Sequence, residues 1–365
     1  MKRIVILTML SFIGIALLAI PHPPINLKVG YVSGITHSQN HLYVASYGNG
    51  LAIIDKSTGE TTWYTEEKGS FPSNDLTALI LNEGVVWVGD KSGYVTSLFA
   101  DEPYSEQLFG KGKKGMPISN ISFDSNSRMF VSHYGDFKVL SELSVIDEVN
   151  VSSALVEGYI WQMKPDSKGN LWLTDYCVSG NHGLTCYTTD GEPRFVLEES
   201  AELPFSTCQV RAMTIDREDH IWFASQTVLA EYDGDTYSTF NLSRTAYDME
   251  FDDSERLWLI NNNGILTCFE NNETIDYVCP IETNQWHCMD IDGGNIYIAT
   301  DKGLLLFHDG VFSLVDLQVE HTGIPSTSSV ERTCKTANWY DISGRPASSA
   351  SKTIVVTKDK KLLHK

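Results

Sequence analysis

Aromatic and polar residues recur at turns of this sequence, where together they could bind a ligand. Trp161, Tyr247 and Trp286 stand at such turns, close to asparagine, arginine and histidine residues. An exposed ring stacks on the apolar part of a sugar or peptide, and neighbouring polar groups fix the ligand's orientation. The predicted ligand-binding residues are Asn120, His133, Tyr134, Trp161, Asp175, His182, Arg211, Tyr247, Asn261, Asn262, Trp286, His287 and Lys302. The alternative is that the aromatic residues only pack neighbouring strands together.

Motifs of the common catalytic and cofactor chemistries are not found. The sequence has no Gly-x-Ser-x-Gly turn, His-Glu-x-x-His helix, P-loop or Gly-x-Gly-x-x-Gly turn. The aspartate pairs at 233–235 and 290–292 resemble calcium ligands, but neither is followed by the distal glutamate of an EF-hand loop. We therefore predict turns at both places, and no catalytic residue, no metal and no cofactor.

The seven cysteines fit an oxidising compartment. None forms a Cys-x-x-Cys pair or a cluster with zinc-ligand spacing. Cys177 and Cys186 flank a short loop and could form a disulfide. Cys268, Cys279 and Cys288 lie near one another, but sequence does not give their connectivity. The alternative is that several cysteines are small buried hydrophobic residues.

Composition limits the class of protein. The chain has 365 residues, 42% of them hydrophobic, with 27 Lys and Arg against 47 Asp and Glu, a formal net charge of −20. It is too apolar for a disordered protein. Nucleic-acid binding requires clustered basic residues, so an acidic chain argues against that partner.

A repeat of about 42 residues organises most of the chain. Four copies place an aspartate six residues before an aromatic residue, which has an apolar residue on each side. These pairs are Asp124 and Phe130, Asp166 and Trp172, Asp216 and Trp222, and Asp252 and Trp258. Three looser copies place the aromatic residue at Tyr43, Trp87 and Tyr297.

Each repeat is predicted to form four short strands, in the sixth at 247–252, 256–260, 264–269 and 274–279. The aspartate accepts backbone N–H bonds in the first hairpin, and a glycine opens the third strand. Seven such units predict an all-β, seven-bladed β-propeller over residues 25–320, with a small C-terminal β appendage. The loops after the second and fourth strands converge on one face, where the thirteen residues should lie. The first and seventh repeats each own four strands, so strand exchange is not obvious, although residues 25–29 could add an outer strand to the last blade.

The two ends of the chain differ from the repeat. Lys2 and Arg3 precede an uncharged segment at 4–20, which is typical of a secretory signal peptide; a retained membrane anchor is the alternative. Residues 321–332 form a polar linker before a tail at 333–365. Residues 25–329 carry 17 basic and 44 acidic residues, whereas 330–365 carry 8 and 3. We predict an extracytoplasmic protein, at the cell surface, secreted or periplasmic, with a separable tail.

The repeat resembles the propeller repeats in the extracytoplasmic sensor regions of hybrid two-component regulators of Bacteroidetes. The similarity is carried by Phe-Pro-Ser-Asn-Asp-Leu-Thr-Ala at 71–78 and by the hairpins at 166–172 and 216–222. Those sensors continue into a membrane helix, a kinase and a regulator. This sequence shows none of them, so we expect that it does not transmit a signal by itself.

The tail resembles the end of a C-terminal sorting domain of the type IX secretion system. The segment Trp-Tyr-Asp-Ile-Ser-Gly-Arg at 339–345, the strand at 353–356 and the lysine-rich end carry that similarity. The resemblance implies the type IX secretion machinery as a partner. The tail is short and has Thr353 where glycine is usual, and the alternative is an ordinary β appendage packed on the propeller.

A third resemblance concerns catalysis. Gly-Asn-Leu-Trp-Leu-Thr-Asp at 169–175 is similar to the repeats of streptogramin-lyase-like propellers, which use a histidine and acidic residues with a divalent metal on one face. That resemblance would make His133, His182 and His287 candidates for the histidine. We expect instead an exported, non-catalytic propeller that binds a glycan, a peptide or a partner protein, with a metal-dependent lyase as the alternative.

Overall fold

The structure is a computed structural model, and it describes most of the repeat region and three short segments of the tail. The described residues are 31–99, 101–110, 116–133, 136–141, 144–150, 160–175, 182–187, 193–198, 210–261, 264–283, 285–315, 339–340, 355–357 and 362–363. They contain no helix, and so none that is long and apolar enough to span a membrane.

Twenty-eight strands form seven four-stranded antiparallel sheets, the blades. Blade 1 has β1 (Tyr31–His37), β2 (His41–Tyr47), β3 (Gly50–Asp55) and β4 (Thr61–Tyr64). Blade 2 has β5 (Leu76–Asn82), β6 (Val85–Asp90), β7 (Tyr94–Phe99) and β8 (Glu102–Gln107). Blade 3 has β9 (Asn120–Phe123), β10 (Met129–His133), β11 (Asp136–Ser141) and β12 (Ser144–Asn150). Blade 4 has β13 (Ile160–Pro165), β14 (Leu171–Asp175), β15 (His182–Tyr187) and β16 (Pro193–Glu198).

The other three blades follow the same order. Blade 5 has β17 (Val210–Ile215), β18 (Ile221–Ser225), β19 (Val228–Tyr232) and β20 (Tyr237–Asn241). Blade 6 has β21 (Asp248–Phe251), β22 (Leu257–Ile260), β23 (Ile265–Glu270) and β24 (Glu273–Val278). Blade 7 has β25 (Trp286–Asp292), β26 (Asn295–Thr300), β27 (Gly303–His308) and β28 (Val311–Val315).

The blades close into a ring around a central channel. In every blade the strands pair in chain order, and the first strand contacts the first strand of the next blade. Strand β25 of the last blade contacts β1 of the first, which completes the circle. The prediction of an all-β, seven-bladed β-propeller is therefore confirmed.

The repeated aspartate builds the first hairpin of a blade. In blade 6, Asp252 Oδ1 accepts the backbone N–H groups of Ser254 (2.9 Å) and Arg256 (3.0 Å). Its other oxygen, Oδ2, accepts the indole N–H of Trp258 at 2.8 Å. The same three bonds occur around Asp166 and Asp216. One carboxylate thus fixes both the turn and the orientation of the tryptophan.

The repeated tryptophans pack between neighbouring blades. The ring of Trp258 lies 5.7 Å from that of Phe307 in blade 7, and Trp172 contacts Tyr232 of blade 5. Trp222 is only half-buried, but its ring meets Phe251 of blade 6 edge-on. Burial of apolar surface between sheets is what holds adjacent blades together.

The ring closes through side chains of blades 1 and 7. An apolar cluster shared by the two blades includes Val32 and Leu304. His37 Nδ1 lies 2.7 Å from Asp290 Oδ2, and Lys56 forms an ion pair with Asp292. The first and last blades each have four strands of their own, so no exchanged strand joins them among the described residues. The possible outer strand at 25–29 lies outside the described residues.

The tail contains a separate small sheet. Its strands are β29 (Trp339–Tyr340), β30 (Val355–Thr357) and β31 (Leu362–Leu363), which pair in that order. This sheet is the predicted C-terminal β appendage. The signal segment at 1–20 and the linker at 321–332 lie outside the described residues.

Three cysteines act as the small buried residues of the alternative reading. Cys268 is buried, Cys279 and Cys288 are partly buried, and all three are free thiols. Burial raises the pKa of the Cys268 thiol to about 11, so it stays protonated at neutral pH. The predicted Cys177–Cys186 pair is untested, because Cys177 lies outside the described residues.

Candidate functional site

One side chain from each blade surrounds the channel at the end where the innermost strands begin. We call these seven residues the mouth ring; in blade order they are Ser33, Thr77, Ser119, Trp161, Arg211, Tyr247 and His287. Each one directly follows a buried apolar residue. Those buried residues are Val32, Leu76, Ile118, Ile160, Val210, Ala246 and Trp286. The apolar side chain packs into the blade, so the next side chain turns toward the channel.

Irregular strand pairing helps to direct the mouth ring. In blades 1, 2, 4, 5 and 7 the register of the first two strands shifts at this position. In blade 4, for example, Ile160 pairs with Asp175 and Gln162 with Thr174, which leaves Trp161 unmatched. A bulge of this kind re-aims one side chain and commonly occurs beside binding sites.

The mouth ring encloses a cavity of about 600 Å³. Six of the predicted residues line this mouth cavity: Asn120, Trp161, Arg211, Tyr247, Trp286 and His287. Sequence reasoning missed the hydroxyl members Ser33, Thr77 and Ser119. The signal that could have identified them is their place in the repeat, one residue after the buried apolar position.

Three other predicted residues lie elsewhere. His133 is buried, and its Nδ1 is 2.8 Å from the carbonyl oxygen of Pro117. Asn261 is buried and donates to the carbonyl of Ile265, and Lys302 donates to the carbonyl of Glu282. These contacts are structural, and none of the three residues borders the mouth cavity.

The remaining predicted residues are not described at side-chain level. Asp175 ends β14 and His182 begins β15, but only their backbone positions are described. Tyr134 and Asn262 lie outside the described residues.

Trp286 differs from the exposed ring that we expected. Its side chain is 1% exposed, packs near Phe312 and donates its indole N–H to Thr283 at 2.7 Å. It occupies the buried apolar position of blade 7, and His287 takes the place in the mouth ring. This burial agrees with the packing alternative for Trp286, although the residue also borders the mouth cavity.

Arg211 lies against two aromatic faces from the neighbouring blades. Its guanidinium carbon is 5.8 Å from the ring centre of Trp161 and 4.9 Å from that of Tyr247. Such contacts attract a cation to the negative face of a ring. The two ring contacts hold the positive charge of Arg211 at the wall of the mouth cavity.

His287 closes the aromatic half of the ring. Its imidazole lies 3.8 Å from the ring of Tyr31 at an angle of 30°. Burial lowers the pKa of His287 to about 4, so the imidazole is neutral at pH 7. Its Nε2 is a buried atom with no hydrogen-bond partner among the described residues. A hydroxyl group of a ligand could bond to it.

The floor of the cavity is a hydrogen-bonded polar network. Gln162 donates to Asp248 at 2.8 Å and accepts the backbone N–H of Met213 at 2.6 Å. Asp248 also accepts the N–H groups of Met249 and Met289. Burial raises the pKa of Asp248, and it raises that of Glu250, farther along β21, to about 8. Glu250 is therefore mostly protonated at neutral pH.

One group of side chains elsewhere could approach a metal ion. Asp216, His220 and Glu231 each place a ligand atom within 4.8 Å of the others. However, His220 Nδ1 is 2.9 Å from Glu231 Oε1, and Asp216 Oδ2 already accepts the indole N–H of Trp222. Hydrogen bonds within the hairpin account for this arrangement.

Comparison with known proteins identifies the fold. No protein-family model and no curated protein matches the sequence. The virginiamycin B lyase of Staphylococcus aureus superposes with a TM-score of 0.64 and 16% identity, over 79% of this chain and 96% of the lyase. A catalytically inactive form of that lyase with quinupristin gives 0.63 and 14%, over 76% and 94%. The WD40 β-propeller domain of Doa1 gives 0.59 and 13%, over 78% and 93%.

A fourth structure bears on the regulator resemblance. The extracellular domain of a putative hybrid two-component system from B. thetaiotaomicron has 16% identity and covers 91% of this chain, but 51% of its own length. Its TM-score of 0.42 is too low to support the regulator resemblance. The three better superpositions, at identities of 13–16%, show the fold alone. The chain is therefore a β-propeller whose candidate ligand site is the mouth cavity.

Proposed function

We propose that this protein is a non-catalytic β-propeller that binds a ligand of sugar or short-peptide size in the mouth cavity. The observation that supports the proposal is the ring of seven side chains, one from each blade, around a space of about 600 Å³. This volume is in the range of small-molecule sites. Binding residues are commonly placed at such strand ends and loops, where a rigid scaffold positions them.

The lyase alternative lacks the necessary side chains in the described cavity. A divalent metal of the kind used by streptogramin-lyase-like propellers requires oxygen or nitrogen ligands. The described residues that line the mouth cavity include His287 but no aspartate or glutamate. His133, another candidate histidine, is bonded to a backbone carbonyl. The described lining residues do not fit that metal, and this supports binding over catalysis.

A binding screen tests the proposed function. The mature protein is titrated with neutral and acidic oligosaccharides and with short peptides, and the measurement is repeated with Trp161→Ala. We expect binding that this substitution weakens at least about tenfold, which corresponds to about 1.4 kcal/mol. Tyr47→Ala is the matched control, because Tyr47 is a 46% exposed ring outside the cavity. Binding that survives Trp161→Ala would place the site elsewhere, and turnover of a ligand would favour an enzyme.

We also propose that the chain is exported. The support is the pair Lys2 and Arg3 before the uncharged segment at 4–20, together with the sorting-like tail. In this proposal the chain is related to the regulator-type propellers of Bacteroidetes. It is delivered to the periplasm, the cell surface or the medium, and the type IX secretion machinery recognises its tail.

A further inference from the structure

The mouth ring has two chemically different halves, and we infer that it selects a sugar that carries a carboxylate. This inference rests on the proposed ligand-binding function and names the class of ligand. In blades 1–3 the ring residues are Ser33, Thr77 and Ser119, which are small and carry hydroxyl groups. In blades 4–7 they are Trp161, Arg211, Tyr247 and His287, which are large. The open space of the cavity therefore lies beside the hydroxyl half, facing Arg211 and the rings.

Charge at the cavity differs from charge over the rest of the propeller. Residues 25–329 carry 17 basic and 44 acidic residues. Among the described residues that line the cavity, Arg211 is the one cation, since His287 is neutral, and none is a carboxylate. A ligand that enters this cavity therefore meets a positive group in an otherwise acidic molecule.

The aromatic contacts of Arg211 determine the sign of the charge that the ligand carries. Its guanidinium already lies over the faces of Trp161 and Tyr247, where a cationic ligand would otherwise bind. The N–H donors of a guanidinium lie in its own plane, so the group can rest on rings and still donate two bonds to a carboxylate. Contact with the rings also restricts the side chain, which reduces the entropy lost on binding.

Burial of the carboxyl groups below the cavity reduces their opposition to an anion. Asp248 accepts a hydrogen bond from Gln162, which lines the cavity, and burial raises the pKa of Asp248. Glu250 is mostly protonated at neutral pH. Burial therefore opposes the negative charge of both carboxyl groups, although the N–H bonds to Asp248 act in the opposite direction.

The remaining walls favour a sugar over a peptide as the carrier of the carboxylate. Hydroxyl and amide groups of Ser33, Ser119, Asn120 and Gln285 border the cavity. Thr77 Oγ1 and His287 Nε2 are buried atoms with no hydrogen-bond partner among the described residues, and they belong to opposite halves of the ring. A sugar ring carries hydroxyl groups on several sides and can bond to both halves at once.

The test compares acidic sugars with neutral forms of the same sugars. Calorimetric titrations use trigalacturonic acid and its methyl ester, and sialyllactose and its methyl ester, with the full-length mature protein. We expect at least one acidic sugar to bind and its neutral counterpart to bind at least about tenfold more weakly, because a bidentate charged contact is worth more than 1.4 kcal/mol. The esterified ligand makes this comparison independent of any effect of mutation on folding.

Variants of the protein test the role of Arg211. Arg211→Gln should weaken binding of the acidic sugar at least about tenfold. Arg211→Lys should restore only part of the lost affinity, because lysine cannot form a bidentate contact. Arg244→Gln is the matched control, since Arg244 pairs with Asp276 and does not border the cavity. Thermal unfolding confirms that each variant is folded.

The outcomes separate this inference from the proposed function. Equal binding of acidic and neutral sugars, with loss in Trp161→Ala, would keep the proposed function and overturn the inference. The same holds if a short peptide such as tetraglutamate binds better than every sugar, or if no acidic sugar binds while a neutral one does. Absence of binding by sugars and peptides alike would overturn both.

Discussion

At the scale of single residues, the repeated aspartate stabilises the hairpin turn and also orients the tryptophan that follows it. The spacing of six residues to an aromatic predicts a hairpin, and the bonds from the Asp252 carboxylate to two backbone N–H groups confirm it. The bond from Trp258 to the same carboxylate could not be derived from spacing. It depends on the side-chain rotamer, which is set by packing against blade 7.

Replacement of Trp258 tests how much of the interblade contact this residue supplies. Its side chain is 5% exposed and packs against Phe307. Trp258→Ala should lower the free energy of unfolding by about 3–5 kcal/mol through loss of buried area and formation of a cavity. Denaturant unfolding measures the change, and exposed Tyr47→Ala should cost less than about 0.5 kcal/mol. A cost below about 1 kcal/mol for Trp258→Ala would show that the assigned packing is wrong.

The pKa of Glu250 predicts how stability changes with pH. Burial raises this pKa from the ordinary 4.5 to about 8, although Lys164 acts in the opposite direction. The folded state therefore binds the proton more tightly than the unfolded state, so stability is lost as pH rises from about 4.5 through 8. Glu250→Gln should match the natural protein at pH 4.5 and be the more stable of the two at pH 9.

Thermal unfolding between pH 4.5 and pH 9 measures that difference. His37, whose pKa is raised mainly by its hydrogen bond to Asp290, titrates in both proteins, so its effect largely cancels in the comparison. A constant difference between the two proteins across the pH range would contradict the assigned burial of Glu250.

At the scale of elements, the strands could be predicted closely and the bulges could not. In blade 6 every predicted strand boundary lies within one residue of the observed boundary, because aspartate and glycine mark the turns. The register shifts leave no such mark, since they depend on how the first two strands meet at the channel. The sequence therefore predicted both Trp286 and His287 for the site, but not that Trp286 takes the buried position and His287 the place in the mouth ring.

Replacement of the glycine that precedes the third strand tests how closely the backbone approaches at that position. Gly93 has φ +83°, and a Cβ atom there would lie 2.2 Å from the carbonyl oxygen of Phe109. Gly59 has φ +74°, but a Cβ atom there would have no neighbour within 4 Å. Gly59→Ala should cost about 1–2 kcal/mol from the positive φ alone. Gly93→Ala should cost at least about 2 kcal/mol more, because backbone must also move; equal costs in denaturant unfolding would argue against this close approach.

At the scale of the whole molecule, the described strands close the ring without an exchanged strand. The closure depends on the shared apolar cluster of blades 1 and 7, the contact between His37 and Asp290, and the Lys56–Asp292 ion pair. The seven-fold repeat predicted the ring, because a single four-stranded sheet cannot bury both faces. Side chains from seven distant parts of the sequence meet at the channel mouth for the same reason. Their chemistry was visible in the sequence, but the neighbours of each residue follow only from the order of the blades.

Deletion of residues 330–365 tests whether propeller and tail are separate units. The tail strands pair with one another, and 8 basic against 3 acidic residues distinguish the tail from the acidic propeller. The truncated protein should unfold within a few degrees of the full chain, because every blade keeps its four strands. A large fall in the unfolding temperature would show that the tail is part of the propeller.

In cells, the full chain should lose residues 1–20 and reach the surface or the medium, while the truncated chain should remain in the periplasm if the tail is a sorting signal. Fractionation with N-terminal sequencing measures both steps: an intact N-terminus in the cytosol would contradict export, and unchanged surface delivery of the truncated chain would contradict sorting by the tail.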